Sequence, residues 1–308
     1  MGSERNGSPE ARGQLNQAAT TADLFNQYRG LLFAIAYRMM GSGTDAEDIV
    51  QEAFVRWLQA SSEEVQSPKA YLSAVVMRLC IDQVRSARAQ RELYVGPWLP
   101  EPIPTGQHQE LVDNVVLTES LSFAFLIMLQ RLKPLERAVF LLREVFDYDY
   151  TEIAEIVGKS EANCRQVLHR AHQQVGEQPP RFAVSHEQQE RITYQFIQAS
   201  TSGDMQGLLK LLTDDIVFTA DGGGKVQAAR NSLYGADKAT RGMLGGMSKL
   251  PSGIQGRIEE INGQPAIIGY VDGHVYGVVL LEIVAEQVRR IYMILNPDKL
   301  GRLNSLPM

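Results

Sequence analysis

The chain has 308 residues, 44% of them hydrophobic and 21% charged, with 26 glycines and 13 prolines; this is a globular composition at a length for two or three domains. Its 30 basic and 36 acidic residues leave a formal charge of −6. That balance argues against a free-standing binder of DNA or of an anionic membrane, yet it leaves room for a basic surface diluted by acidic surroundings.

In chain order, residues 1–21 read as a flexible tail, polar and without the apolar core of a signal peptide. From Asp23 the pattern turns helical, with Leu24, Tyr28, Leu31, Leu32, Ile35 and Met39 on one stripe that ends at Gly41-Ser42-Gly43. Thr44 reads as the N-cap of a second helix, with Glu47 completing a capping box and Ile49, Ala53, Phe54 and Trp57 inward. After a polar break at 61–67, Pro68 suits the first turn of a third helix running to about Arg91. Pro97, Pro100, Pro102 and Pro104 then make 94–106 a stiff extended linker. Tyr94, Val95, Trp98 and Leu99 are too apolar for a solvated tether, so part of the linker is expected to dock on a surface.

Helical patterning resumes at 117–132 and 134–145, then splits into two short helices around Gly158-Lys159-Ser160. Pro179-Pro180 marks a second boundary. Beyond it, 187–200 and 205–212 read as helices, and 216–219, 266–271, 274–284 and 288–295 as strands, with Asp272-Gly273 as a hairpin turn. The expected organisation is a tail (1–21), a helical unit (22–92), a Pro-rich linker (93–116), a helix-turn-helix unit (117–178) and an α+β unit (182–308). Cys80 and Cys164 are too few for a disulfide framework and read as small hydrophobes on helical faces. No run of about 18 apolar residues occurs, so no membrane span is expected and the location is read as cytoplasmic.

Two helices carry the pattern of a nucleic-acid surface. In the helix after Ser160, Cys164, Val167, Leu168 and Ala171 form a buried face, which leaves Ala162, Asn163, Arg165, Gln166, His169 and Arg170 outward. Arg, Asn and Gln suit base edges and phosphates, and the N-terminal part of such a helix enters the major groove. A plain helical hairpin with a solvated face has the same pattern. The third helix sets Lys69, Arg78, Arg85, Arg88 and Arg91 against Asp82, with Tyr71 at its start. Basic and aromatic groups so placed track phosphates and stack an unpaired base. The second helix is instead acidic, through Asp45, Glu47, Asp48 and Glu52. Opposite charges on neighbouring helices point to two partners, a protein and a nucleic acid.

The stretches GTDAEDIVQEAFVRWL, YLSAVVMRLCIDQVRSAR and LKPLERAVFLLREVFDYDYTEIAEIVGKSEANCRQVLHRA resemble, in that order, the two conserved domains of extracytoplasmic-function bacterial sigma factors. The linker YVGPWLPEP, DGGGK at Asp221–Lys225 and NPDKL at Asn296–Leu300 resemble the group with a fused SnoaL-like C-terminal domain. The resemblance implies a multidomain chain, two all-α sigma domains followed by an α+β cone of the ketosteroid-isomerase type. It implies a non-enzymatic initiation factor without metal or organic cofactor, whose partners are core RNA polymerase (β′ clamp coiled coil and β flap) and promoter DNA. Asp45, Glu47, Asp48, Gln51 and Glu52 match the polymerase-binding helix. Arg78, Asp82, Arg85 and Arg88 match the stretch that captures the −10 element, and family members often have Asn where this chain has Arg78. Glu161, Ala162, Asn163, Arg165, Gln166, His169 and Arg170 match the −35 reader; His172, Gln173 and Gln174 follow where relatives carry more Lys and Arg.

A second reading makes the back unit a ligand-binding or catalytic SnoaL-type domain fused to a DNA-binding regulator. Its acid–base candidates are Asp221, His274 and Tyr276. An aspartate heading a glycine turn more often caps backbone, and His274 directly flanks a hairpin. The run Gly222, Gly223, Gly224, Lys225 lacks P-loop spacing. A small-molecule ligand of the cone stays open. A conventional dimeric operator binder gives the acidic second and basic third helices no task. A regulatory role suits better, with linker residues Trp98, Leu99 and Pro100 lying against the back unit and Asn296, Pro297, Asp298, Lys299 and Leu300 reaching the sigma domains or the linker. From Arg181 onward the charges balance at 13 of each sign, so the acidity argues only against binding DNA alone.

Overall fold

A computed structural model describes residues 9–60, 65, 67–91, 93–105, 120–176 and 184–305, without the side chains of 9–20, 87–91 and 305. Helix α1 (Pro9–Met40) and α2 (Gly43–Gln59) are followed by α3 (Pro68–Arg91). Residues 9–21, read from sequence as tail, thus belong to α1. Helix formers such as Glu10, Ala11 and Arg12 let the helix extend back without an apolar stripe. The expected N-cap also moves by two residues. Ser42, not Thr44, caps α2, accepting from the Asp45 N–H at 3.2 Å, because Thr44 is drawn to the linker.

Helix α4 (Phe123–Leu129) is shorter than the pattern over 117–132 suggested, since Ser120–Ser122 form a turn and Ser122 caps it; residues 106–119 lie outside the described part, as does Pro179-Pro180. Helix α5 (Pro134–Phe140) continues as a π-helical turn over Leu141–Val145. The helix-turn-helix is α6 (Tyr150–Val157) and α7 (Glu161–Val175). An Asp149–Glu152 capping box starts α6, left-handed Gly158 (φ 65°) ends it, and Ser160 caps α7. Cys164, Val167, Leu168 and Ala171 are buried, as the spacing predicts. The two helical units do not stand apart. One continuous apolar core runs from Phe25 in α1 through Leu72 and Val76 in α3 to Phe140, Ile153 and Ala171.

The back unit opens with α8 (His186–Ser202) and α9 (Met205–Leu211). Then come β1 (Leu212–Asp221), β2 (Leu233–Tyr234), α10 (Ala236–Met247), β3 (Gln255–Ile261), β4 (Gln264–Val271), β5 (His274–Val284) and β6 (Gln287–Ile294). The six strands lie in the order β2-β1-β6-β5-β4-β3, with β1 and β6 parallel and the other pairs antiparallel. Strands β2 and β3 and helix α10 lack a readable pattern. Helix α10 carries Gly242, Gly245 and Gly246, poor helix formers, and β3 is an edge strand with exposed Arg257 and half-buried Glu259 and Glu260.

Both faces of the sheet are covered, which explains the nearly unbroken apolar run of β5 and the apolar second half of β6, Ile291, Tyr292, Met293 and Ile294. Phe218, Leu281 and Ile291 pack under α8 and α10. Ile268, Leu280, Tyr292 and Ile294 pack on the opposite side against Leu99 of the linker and Phe123 of α4. Beyond β6, two short 3₁₀ turns, Pro297–Lys299 and Gly301–Ser305, bring the C-terminal segment back to the linker. Among the described residues no helix is long and apolar enough to cross a membrane.

Candidate polymerase and DNA surfaces and the contacts that cover them

Asp221, at the end of β1, is fully buried. Its carboxylate accepts from the Tyr94 hydroxyl at 2.6 Å, the Leu99 N–H at 2.9 Å, the Lys299 ammonium at 2.6 Å and the Gly223 N–H at 3.0 Å. Its carbonyl accepts from the N–H groups of Leu295 and Asn296. The glycines after it are there for proximity. A Cβ on Gly222 would stand 2.2 Å from the Val226 carbonyl, and one on Gly223 (φ 59°) 2.3 Å from Asn296 Nδ2. Lys299 also lies over the rings of Trp98 (4.2 Å) and Tyr94 (4.9 Å). Burial, then the bond to Asp221, push the Tyr94 phenol pKa up.

The structure therefore brings Trp98, Leu99, Asp221, Gly222, Gly223, Asn296 and Lys299 into one latch. Leu300 is buried beside Leu99, and Pro100 is buried. Lys225 and Asp298 form an exposed 2.6 Å ion pair at its rim, with Pro297 and Gly224 also exposed. Val95, expected to dock, is 55% exposed, although a Cβ on Gly224 would meet it at 3.1 Å. Asp221 is spent on this latch; His274 is exposed at the β4–β5 turn, and Tyr276 lines a separate cleft. The three acid–base candidates do not converge.

Glu101 of the linker makes a second junction. It lies over the N-terminus of α2, where a carboxylate complements the helix dipole. It accepts from the Ser42 hydroxyl (3.0 Å), the Thr44 N–H (3.1 Å) and the Arg302 guanidinium (3.1 Å), while its carbonyl accepts from the Tyr37 hydroxyl (2.8 Å). Arg302 reaches on to Glu47 at 2.9 Å. Of the polymerase-facing candidates, Glu47 is thus engaged by the C-terminal segment and Asp45 is half-buried beside Gln83. Asp48, Gln51 and Glu52 are exposed, Glu52 in an ion pair with Arg56, and Val55 and Leu58 beside them are exposed apolar groups.

The third junction joins α3 to the helix-turn-helix. Arg78 donates to the carbonyls of Ile156 and Glu155 at the end of α6, both at 3.1 Å. Ser73 pairs with the Tyr148 hydroxyl at 2.8 Å. Asp82 and Arg85 form an exposed pair at 3.7 Å; the Arg88 side chain lies outside the described part. Glu161, Ala162, Asn163, Arg165, Gln166, His169 and Arg170 are all exposed on α7. Arg165 lies over Tyr150 at 4.0 Å and within 3.4 Å of Glu161.

Residues 24–90 match the family model for sigma-70 region 2, and residues 123–175 that for sigma-70 region 4. The ECF RNA polymerase sigma factor SigJ of Mycobacterium tuberculosis is 36% identical over 288 residues, which cover 89% of this chain and 91% of that protein. The chain is an extracytoplasmic-function (ECF) sigma factor. A probable ECF sigma factor of the same organism, SigI, is 31% identical over 94% of this chain and 98% of its own length. The crystal structure of SigJ superposes with a TM-score of 0.72, covering 90% of this chain and 97% of that one at 31% identity. The similarity thus includes the α+β unit as well as the sigma regions, and the chain is a transcription initiation factor rather than an enzyme.

Sequence reasoning about this sigma factor missed one residue that ties all its units together. Asn262, fully buried at the β3–β4 turn, donates to the Tyr37 hydroxyl (2.6 Å) and the Leu121 carbonyl (3.0 Å) and accepts from the Ile103 N–H (3.0 Å). It sits with Gly263 at positive φ (54° and 69°), as a type I′ turn requires. The signal was present, since Asn-Gly is as strong a hairpin marker as Asp272-Gly273. Arg38, which donates to Ser120 (2.8 Å), and Arg137, which donates to the Met39 carbonyl (2.6 Å), add further ties between the sigma regions. Nothing local in sequence separates them from surface arginines.

Proposed function

We propose that this sigma factor directs promoter-specific initiation by core RNA polymerase and that its SnoaL-like unit holds the two sigma regions in a closed arrangement. In this reading the module of residues 22–92 places Asp48, Gln51, Glu52 and Glu47 against the β′ clamp coiled coil. Arg78, Asp82, Arg85 and Arg88 meet the −10 element. The module of residues 117–178 meets the β flap and reads the −35 element with the exposed face of α7. The linker 93–116 and the unit 182–308 set the distance between the two.

One observation carries the closed state. Arg78, a −10 candidate, is bound to the carbonyls of Ile156 and Glu155 in the other sigma region. These bonds occupy two of the five donors of an exposed guanidinium; in this reading α3, packed on α6, cannot lie along open DNA. Promoter binding then requires α3 and α6 to part, and the linker latch opposes that parting. The test is run-off transcription by core polymerase with the full chain, with truncations after Pro180 and after Asn296, and with Asp221→Asn. The gating reading expects each change to alter promoter-driven output. Unchanged output from all of them sinks it, and failure of the full chain to bind core polymerase sinks the whole reading.

A further inference from the structure

Helices α8 and α10 and the facing side of the sheet enclose a cleft of about 150 Å³ that none of the contacts above uses. Its wall is mostly apolar, with Phe196, Met243, Met247, Ile267, Val279 and Met293 prominent. Space of roughly this volume between aliphatic and aromatic side chains accepts a benzene-sized guest. Methionines adapt their shape to such a guest and make favourable sulfur–aromatic contacts. Ser200, on α8, also lines the cleft. The residue is 7% exposed, and its hydroxyl has no hydrogen-bond partner among the described residues. Thr201 beside it donates its hydroxyl to the Ile197 carbonyl at 2.9 Å. A buried hydroxyl left unpaired is costly; the Ser200 oxygen is shut off from the open space of the cleft, so a guest with one hydrogen-bonding group removes that cost once the side chain turns toward it.

Leu295 connects this cleft to the latch. Its side chain lines the cleft and lies over Gly277, where a Cβ would stand 2.6 Å from Leu295 Cδ2. Its N–H donates to the Asp221 carbonyl at 2.8 Å. The next residue, Asn296, donates its N–H to that same carbonyl and its side chain to the Tyr94 hydroxyl at 2.9 Å. A guest that moves Leu295 therefore moves the strand end that holds Asp221, Asn296 and Tyr94 together.

We propose that the cleft binds a small, uncharged, single-ring molecule bearing one hydroxyl or carbonyl group, paired to Ser200, and that its arrival displaces Leu295 and loosens the latch. The link to transcription rests on the gating reading above; the binding and its effect on the latch do not. The chain has two tryptophans, Trp57 in the first sigma region and Trp98 in the latch, so labelling with 5-fluorotryptophan puts a reporter at each.

The full chain is titrated with benzyl alcohol and, separately, with toluene. The expected result is saturable binding with a shift of the Trp98 fluorine signal while the Trp57 signal stays in place. Ser200→Ala should weaken benzyl alcohol roughly two- to tenfold, as loss of one neutral hydrogen bond does, and leave toluene unchanged. Leu295→Ala, with Leu295→Met as the milder variant, should bind benzyl alcohol in ligand-observed NMR yet lose the Trp98 response. Absence of saturable binding, or binding that leaves Trp98 unmoved, overturns the proposal. A Trp98 response without any effect on run-off transcription upholds the cleft and overturns the gating reading instead.

Discussion

Lys299 Nζ lies 2.6 Å from Asp221 Oδ2, on side chains 11% and 0% exposed, and this ion pair joins β1, the linker and the C-terminal segment at one point. The charges are compensated on all sides. Asp221 also accepts from Tyr94 and Leu99, and Lys299 also donates to the Leu99 carbonyl and lies over two aromatic rings.

Removing one member of such a pair leaves the other charge buried and uncompensated. Asp221→Asn or Lys299→Met alone should therefore cost about 3–5 kcal/mol, whereas the double variant should cost clearly less than the sum. Denaturant unfolding of the four chains measures this. Strictly additive losses would show that the two groups do not depend on each other.

Arg302 poses a different balance, because it is a quarter exposed and shared between Glu47 and Glu101. Burial works against its charge, but the two carboxylates outweigh burial and raise its pKa. Arg302→Ala should cost no more than about 1 kcal/mol at the half-exposed Glu47 contact, with a further loss at buried Glu101. It should strengthen binding to core polymerase, since Glu47 is released. Glu47→Gln breaks the same contact but removes the acidic group, so it should weaken polymerase binding. Equal effects of the two variants in a pull-down titration would mean that Arg302 does not compete for Glu47.

The helical half was legible because its elements announce themselves in short windows: the α7 stripe of Cys164, Val167, Leu168 and Ala171, the Ser160 cap, Pro68 at the start of α3. What escaped was set by distant partners. Ser42 displaced Thr44 as cap because Glu101, far along the chain, claims Thr44. In helix α10 Gly242 lies against Leu233 of β2, whereas nothing in the structure explains Gly245 and Gly246. The β5–β6 turn at Ala285-Glu286 adopts positive φ (49° and 63°) without any glycine, so turn chemistry gave no sign of it. The candidate surfaces were readable as residue lists. That Arg78 and Glu47 are held within the chain was not, because hydrogen-bond partners far away in sequence leave no local pattern.

Asn262 allows backbone and side-chain contributions to be separated. Asn262→Gly keeps the turn's positive φ but removes the bonds to Tyr37, Leu121 and Ile103, with an expected loss of about 1–3 kcal/mol from the groups left unpaired. Asn262→Ala removes the same bonds and adds left-handed strain of about 1–2 kcal/mol. Alanine should thus be the worse of the two in denaturant unfolding. A glycine variant as stable as the parent would show that the three-way junction contributes nothing.

DNA binding by the free chain is where the charge of −6 acts. Non-specific affinity for duplex comes from phosphate neutralisation and falls with salt in proportion to the phosphates contacted. Among the described residues of α3, two of the cations already have partners within the chain. Arg78 is bound to α6 carbonyls and Arg85 is paired with Asp82. The free chain should bind promoter duplex weakly and with a shallow salt slope, and the holoenzyme should bind tightly. Arg78→Ala should leave the free chain's affinity almost unchanged, while in the holoenzyme it should lower affinity across sequences and reduce the salt slope by about one. Filter binding across a salt series, with and without core polymerase, measures both. Tight, salt-resistant binding by the free chain would mean that α3 already faces DNA and that the closed arrangement does not hold in solution.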